Sequence, residues 1–145
     1  MYVINELKNS VTGFDFDAKS GILLERKTIS TLPEGFEGTS YCADLKITPD
    51  GRYLYGTNRG HDSIASYQIQ EDGTLRRLHI TPSQGKSPQN LAITANGKWL
   101  LCANMGNGNV AVFQIEPDGK LTAAGSPVKH TSPSCIMILP TPGNH

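Results

Sequence analysis

Short runs of alternating apolar and polar residues cover this chain, and turn residues separate them. The run 64–69, Ile-Ala-Ser-Tyr-Gln-Ile, alternates in this way and is followed by the pair Asp72-Gly73. Pairs such as Asp-Gly and Asn-Gly supply the positive φ angles that two-residue hairpin turns need. No stretch keeps an apolar period of 3.6 residues, which is the period of a helix. The pattern therefore predicts an all-β protein with essentially no helix.

The chain contains an internal repeat. When the sequence is shifted by 46 residues, the segment 44–75 lies on 90–121 without a gap, and at a shift of 53 the segment 5–16 lies on 58–69. Each unit reads strand, turn, strand, loop, strand, turn, strand. Four antiparallel strands in about 40–50 residues are typical of one blade of a β-propeller. Matched pairs include Leu45 and Leu91, Ile47 and Ile93, Gly51 and Gly97, Leu54 and Leu100, and Ala65 and Ala111.

The repeat predicts about three four-stranded antiparallel blades, which form part of a seven-bladed propeller in a single partial domain. The blade units are 1–40, 41–86 and 87–131, followed by a closing strand at 132–140. We expect three strands before Tyr41, four in 44–80, four in 90–128 and one in 135–139. The last strand stands alone, as expected where a propeller closes by completing its first blade.

The chain also has the features of a fragment. An apolar strand starts at Tyr2 with no lead-in, so we expect that the chain begins inside a domain. Three blades cannot close a ring of seven, and the blade faces left open should be apolar. Self-association through these exposed faces is therefore a further expectation.

Composition and charge exclude several classes of function. Lys and Arg together number 13, as do Asp and Glu, so the sequence shows no basic footprint for nucleic acid. Its apolar runs are too short to cross a bilayer, and no signal peptide precedes the first strand. The three cysteines have no metal-ligand spacing, so free thiols in a reducing cytoplasm are expected. We predict no metal and no organic cofactor.

Candidate catalytic residues occupy one equivalent position of the repeat, where the three units carry different side chains. The loop after the second strand of each unit begins with an asparagine, and the next residue changes from Glu6 to Arg59 to Met105. In a propeller these loops share one face with the channel mouth, so Glu6 and Arg59 should point into a common funnel. A carboxylate can act as a general base, and a guanidinium can bind an anionic group or an oxyanion. The alternative is a salt bridge between blades, which is common among such pairs.

Four further residues are predicted to contact substrate around this pair. His61 shares a loop with Arg59, and Asp44 begins the innermost strand of its blade. Asn5 and Asn58 directly precede the two candidate catalytic residues. The alternatives are an exposed histidine without a role and asparagines that hydrogen-bond the loop backbone. The long connection 31–41 lies on the same face and either forms a rim or lid or simply fills space.

Three stretches of the chain resemble the lactonase family of seven-bladed propellers. They are 2–11 (Tyr-Val-Ile-Asn-Glu-Leu-Lys-Asn-Ser-Val), 38–44 (Gly-Thr-Ser-Tyr-Cys-Ala-Asp) and 49–64, which includes the run Asn-Arg-Gly-His. The resemblance extends from Tyr2 to Leu139 and corresponds to the C-terminal two-fifths or so of a family member. It implies that Glu6 and Arg59 match the glutamate and arginine of the family's proposed active site. The family also uses a histidine and a second arginine from earlier blades, which this chain does not contain.

The resemblance implies hydrolysis of a phosphorylated sugar lactone, 6-phospho-glucono-δ-lactone, in the pentose phosphate pathway. Under this hypothesis Glu6 activates water or stabilises the leaving hydroxyl, and Arg59 binds the carboxyl or phosphate group. Two alternatives stay open at this point. The family also contains cyclases that form lactones from muconates, and many propellers are binding modules without catalytic activity.

Overall fold

The protein is a row of three antiparallel β-sheets, seen in a computed structural model that describes residues 1–139. These sheets confirm the predicted all-β class and the partial propeller. The first sheet has the strand order β1-β2-β3, the second β4-β5-β6-β7 and the third β11-β10-β9-β8, with β12 also pairing with β10. The strands are β1 (Tyr2–Asn5), β2 (Ser10–Asp17), β3 (Ile22–Ser30), β4 (Tyr41–Ile47), β5 (Tyr53–Arg59), β6 (Ser63–Ile69), β7 (Leu75–Pro82), β8 (Pro88–Ile93), β9 (Trp99–Asn104), β10 (Asn109–Ile115), β11 (Leu121–Ala123) and β12 (Val128–Lys129).

Within the described residues the helical content is a single 3₁₀ turn, Glu6–Lys8, between β1 and β2. The prediction of essentially no helix did not include this turn, because three residues are too few to show a helical period. The predicted fourth strand of the third blade is also interrupted. It forms two short strands, β11 and β12, which both pair with β10.

The tight turns of the second and third blades repeat in atomic detail. In the second blade Gly51 has a φ of +73° and donates its N–H to the carbonyl of Thr48 at 2.8 Å. Gly97 in the third blade has a φ of +69° and makes the same bond to Thr94 at 2.8 Å. Glycine adopts such angles without a steric penalty. The shift of 46 residues in the sequence is therefore a shift of one blade in space.

The apolar core lies between the blades. Side chains on a strand alternate between its two faces, so Leu54 packs toward the first blade while Tyr53 and Tyr55 pack toward the third. Two buried tyrosines also join neighbouring blades through their hydroxyls. Tyr55 donates to the carbonyl of Gly119 at 3.0 Å, and Tyr67 donates to that of Ser30 at 2.7 Å. Each blade is thus stabilised mainly by its neighbour, as in other repeat architectures.

The predicted closing strand 132–140 is not formed as a strand. The stretch 133–139 pairs with no strand of the described structure, and residue 140 lies outside the described residues. Its position is nevertheless that of the next inner strand. Ile136 donates its N–H to Oδ1 of Asn90 at 2.7 Å, just as Leu91 donates to Oδ2 of Asp44 at 2.9 Å one blade earlier. A strand needs a partner for its backbone groups, and β4 and β8 find theirs in β5 and β9 of their own blades.

The hairpin of β2 and β3 in the first blade exposes apolar side chains on both of its faces. Phe16, which pairs with Leu23, lies on one face, and Ile22 and Leu24 lie on the other; the three are 55–62% exposed. This agrees with the expectation of open apolar blade faces, whereas self-association through them stays a prediction.

Candidate active site

Glu6, Arg59 and Met105 lie at the same end of the three sheets, here called the upper end. Glu6 opens the 3₁₀ turn that follows β1, Arg59 is the last residue of β5, and Met105 follows β9. Tyr41, the first residue of β4, pairs with Arg59, so the inner strand of the second blade begins at this end. The prediction that these loops share one face of the propeller is met by this arrangement.

Glu6 and Arg59 form an ion pair between the first and second blades, in which Nη2 of Arg59 donates to Oε1 of Glu6. The two side chains differ in exposure, because that of Glu6 is 60% exposed and that of Arg59 is 23% exposed. The arginine is therefore fixed in the wall of the site, and the carboxylate is open to solvent. Geometry alone allows both a salt bridge and a catalytic pair.

Arg59 is held from three blades. Its Nη2 also donates to the carbonyl oxygen of Cys42 at 3.1 Å, and its Nη1 lies 3.4 Å from Oε1 of Gln89 in the third blade. Its Nε is buried and has no hydrogen-bond partner. The guanidinium is thus fixed mainly through Nη2, and Nη1, with one long contact, retains capacity to donate to a ligand.

Gln89 is a site residue that the sequence analysis missed. It lies at a bulge in β8, since Pro88 pairs with Asn104 and Asn90 pairs with Ala103. A bulge redirects a side chain, and here it brings Gln89 to Arg59. In the gapless repeat described above, the third unit begins at Asn90, one residue later. Extending it by one position would have shown that Gln89 differs from Ala43 at the same address.

His61 is in the same turn as Arg59 but is turned toward other partners. Its Nδ1 lies 2.7 Å from the hydroxyl of Ser63, and its ring meets that of Phe36 edge-on at 4.8 Å. Among the described residues His61 has no hydrogen bond to Glu6 or Arg59. Phe36 belongs to the connection 31–41, so this connection packs against the turn that follows Arg59, and its role as a rim or lid stays a prediction.

Asn58 lies in the protein interior rather than on the funnel surface. It is fully buried, and its amide donates to the carbonyl of Thr31 at 2.8 Å and to the hydroxyl of Ser63 at 3.1 Å. Its Oδ1 accepts from the thiol of Cys42 at 3.6 Å. Both amide hydrogens are therefore used inside the protein, which argues against the predicted contact with substrate. The alternative, in which the asparagine bonds the backbone, is the one that this geometry matches.

Asn5 has a similar local role at the end of β1. Its amide donates to the hydroxyls of Ser10 and Thr12 at 3.1 and 2.8 Å. Both partners belong to β2 of the same blade, so the side chain fastens β1 to its neighbour. The structure shows it directed along the sheet, and this contact set gives no support for the predicted substrate contact.

Asp44 connects the inner strands of the second and third blades. Its carboxylate accepts from Lys46 Nζ at 2.7 Å, from Asn90 Nδ2 at 2.7 Å and from the N–H of Leu91 at 2.9 Å. The carboxylate is therefore neutralised and almost fully hydrogen-bonded within the protein. These contacts link the second and third blades and give no support for a substrate contact, which stays a prediction.

The cysteines of the described structure are free, and two of them are buried. Burial raises the pKa of the Cys42 thiol, and it raises that of Cys102 to about 12. Cys135 is exposed. At pH 8 we expect a thiol reagent to modify Cys135 alone in the folded protein and all three thiols in denaturant, because a buried neutral thiol is a poor nucleophile. Mass spectrometry of the labelled peptides checks this, and early labelling of Cys42 or Cys102 would contradict it.

Another cleft, of about 410 Å³, lies at the opposite end of the sheets between the second and third blades. Its lining includes Arg52, Tyr53 and Trp99, and none of the predicted site residues. The upper-end ion pair and this cleft are therefore separate features.

Three blades with a carboxylate–guanidinium pair at their upper end define a partial β-propeller with a polar site at one end of its sheets. The chain belongs to the lactonase family of seven-bladed β-propellers, since the family described as "Lactonase, 7-bladed beta-propeller" matches residues 1–138. This assignment agrees with the resemblance found in the sequence.

Relatives with names and structures extend the comparison. A 6-phosphogluconolactonase of Pectobacterium carotovorum is 40% identical over 77 residues, which are 53% of this chain and 23% of the relative. A 6-phosphogluconolactonase of Bacillus subtilis is 33% identical over 90 residues, or 61% of this chain and 26% of the relative. The structure of a periplasmic gluconolactonase from Pseudomonas aeruginosa matches with a TM-score of 0.86 and 28% identity, covering 92% of this chain and 38% of that one.

The chain spans about a quarter of the length of the curated relatives that it matches first. Within residues 1–139, the structure contains no helix that is long and apolar enough to span a membrane.

Proposed function

We propose that this chain is the C-terminal part of a 6-phosphogluconolactonase-like enzyme that hydrolyses a phosphorylated sugar lactone. The observation that carries the proposal is the ion pair between Glu6 and Arg59, which occupy equivalent loop positions of successive blades with opposite charges. Membership of the lactonase family and the names of the two 6-phosphogluconolactonase relatives support the same chemistry.

In the proposed reaction, water attacks the carbonyl carbon of the lactone. The exposed carboxylate of Glu6 accepts a proton from the water as the new C–O bond forms. The tetrahedral intermediate then expels the ring oxygen, which takes the proton and becomes the hydroxyl of the product acid. One lactone and one water thus give one hydroxy acid, and no redox partner or metal is needed for the balance.

Arg59 supplies the positive charge of the proposed site. A guanidinium stabilises a phosphate, a carboxylate or the oxyanion of the intermediate by charge-assisted hydrogen bonds. Its anchorage to Cys42 and Gln89 keeps it in place when Glu6 releases it to interact with water. Preorganisation of this kind is what makes such a donor effective.

Cellular context belongs to the same proposal. Hydrolysis of this lactone is a step of the pentose phosphate pathway, and we place the protein in the cytoplasm. The support for this location is that Cys42, Cys102 and Cys135 are all free.

The test is hydrolysis of freshly generated 6-phosphogluconolactone by this chain and by a full-length seven-bladed protein that contains it. Each rate is corrected for spontaneous hydrolysis, and unphosphorylated gluconolactone serves as the matched substrate. We expect activity in the full-length protein, with preference for the phosphorylated lactone. Loss of that preference would retain the lactonase but contradict the phosphorylated substrate. Inactivity of both proteins on both lactones would refute the proposed function and favour a cyclase or a binding module.

A further inference from the structure

Asn9 is attached to both ends of the connection 31–41. Its backbone carbonyl accepts the N–H of Thr31 at 2.9 Å, and its side-chain Nδ2 donates to the carbonyl of Ser40 at 2.7 Å. Asn9 has a φ of +47°, a left-handed conformation that asparagine tolerates better than most residues. A single residue therefore closes the loop of this connection at its base.

The equivalent positions in the other two blades show which of the two hydrogen bonds of Asn9 is shared. Asp62 and Gly108 are the equivalent residues, with φ values of +56° and +64°. Their carbonyls accept the N–H groups of Ser83 and His130, each at 3.0 Å. The backbone bond is thus present in each of the three described blades, and it fixes the exit of the outer strand.

The side-chain bond differs between the blades. Asp62 accepts the N–H of Ser87 at 2.8 Å through its carboxylate, and Gly108 has no side chain to offer. Only Asn9, among these three residues, donates a hydrogen bond to the carbonyl of the connection. This donation distinguishes the first blade, whose loop carries Glu6.

Asn9 is linked to both members of the ion pair. It is the C-terminal cap of the 3₁₀ turn that begins at Glu6. Its partner Ser40 directly precedes Tyr41, which pairs with Arg59. Behind this junction Gly60 packs so closely that a Cβ would lie 2.2 Å from the carbonyl oxygen of Thr39. The bond from Asn9 to Ser40 therefore joins the segment of Glu6 to the segment of Arg59.

We propose that Asn9 is a positioning residue that sets the placement of Glu6 over Arg59 through its hydrogen bond to Ser40. The proposal rests on the function proposed above, and it assigns Asn9 no contact with substrate. Two buried polar atoms of this junction, Oδ1 of Asn9 and Oγ of Ser40, have no partner. Two unsatisfied buried polar atoms cost free energy of folding, and the junction nevertheless keeps the bond from Nδ2 of Asn9 to the Ser40 carbonyl.

Two substitutions separate the side chain from the backbone. Asn9→Asp keeps the shape but sets a carboxylate oxygen against the carbonyl of Ser40. Asn9→Gly removes the side chain and still permits the positive φ, so the backbone bond to Thr31 is retained. The matched control is Asp62→Asn at the equivalent address, which keeps an acceptor oxygen for Ser87.

Kinetics are measured in the protein found active in the lactonase assay. For both Asn9 variants we expect kcat to fall about 10- to 100-fold, the scale of a displaced catalytic group, with KM changed by less than about 3-fold. The Asp62→Asn control should remain within about 2-fold of the wild-type kcat. Wild-type kinetics in Asn9→Asp would overturn the proposal.

A second readout does not depend on catalysis. The NMR signal of the Arg59 Nε–H in the 145-residue chain reports the surroundings of the guanidinium. We expect this signal to shift in both Asn9 variants and to stay in place in Asp62→Asn. If the wild type hydrolyses no lactone but the signal shifts as described, the proposed function fails while the positioning role stands. An unchanged signal in both Asn9 variants would overturn the positioning role, whatever the activity.

Discussion

Replacing Arg59 by alanine is expected to lower kcat/KM for lactone hydrolysis about 100- to 1000-fold, the range found when one preorganised oxyanion donor is removed. Arg59 is the only cation paired with the exposed carboxylate of Glu6 in the described structure, and its side chain is only 23% exposed. Water admitted in its place cannot supply a fixed positive charge. Steady-state kinetics of the active protein, corrected for spontaneous hydrolysis, measure the loss.

Two further variants separate charge from geometry at this site. Arg59→Lys keeps the charge but loses the planar fork, so we expect it to recover only part of the activity. Glu6→Gln keeps an acceptor for Arg59 but removes the general base, and we expect kcat to fall about 100-fold or more. Met105→Leu, at the equivalent position of the third blade, is the control and should keep wild-type kinetics. Wild-type kinetics in Arg59→Ala would reduce the ion pair to a surface contact worth at most about 1 kcal/mol.

The repeat was sufficient to predict the fold because the same residues perform the same task in successive blades. Thr48 and Thr94 close equivalent turns, and Leu54 and Leu100 fill equivalent core positions. A period of 46 residues thus carried information about packing. It carried no information about whether an inner strand has a partner strand in its own blade, and the stretch predicted as a strand at 135–139 is unpaired in the described structure.

The site was predicted less well, because position along the chain does not tell which way a side chain points. Asn58 and Arg59 are adjacent in β5, but their side chains lie on opposite faces of the strand. One is buried between blades, and the other reaches the upper end of the sheets. Asp44 was predicted to face the channel, yet its carboxylate is used by Lys46, Asn90 and Leu91. Gln89 was missed because the repeat was compared only from Asn90 onward and because a bulge turns the Gln89 side chain toward Arg59.

Asn58 offers the sharpest test of this distinction, because we expect its loss to destabilise the fold rather than to weaken substrate binding. In Asn58→Ala the carbonyl of Thr31 loses its side-chain donor and a cavity opens in a fully buried position. An unsatisfied buried polar group costs about 1–3 kcal/mol, and the cavity adds to this. We expect the free energy of unfolding to fall by about 3 kcal/mol or more. Urea unfolding followed by circular dichroism measures the difference.

Equivalent asparagines provide the controls for that experiment. Asn104 donates to the carbonyl of Ser83 and to Oδ1 of Asn109, both at 2.8 Å, so Asn104→Ala should cost about as much as Asn58→Ala. Asn5 bonds only hydroxyls within its own blade and is partly exposed, so Asn5→Ala should cost about 1 kcal/mol. The expected loss of free energy of unfolding therefore follows the order Asn58 ≈ Asn104 > Asn5, because the first two asparagines join one blade to the next. If Asn58→Ala kept wild-type stability but lost lactone hydrolysis through a raised KM, Asn58 would be a substrate-binding residue after all, and the junction between blades would not depend on its hydrogen bond to Thr31.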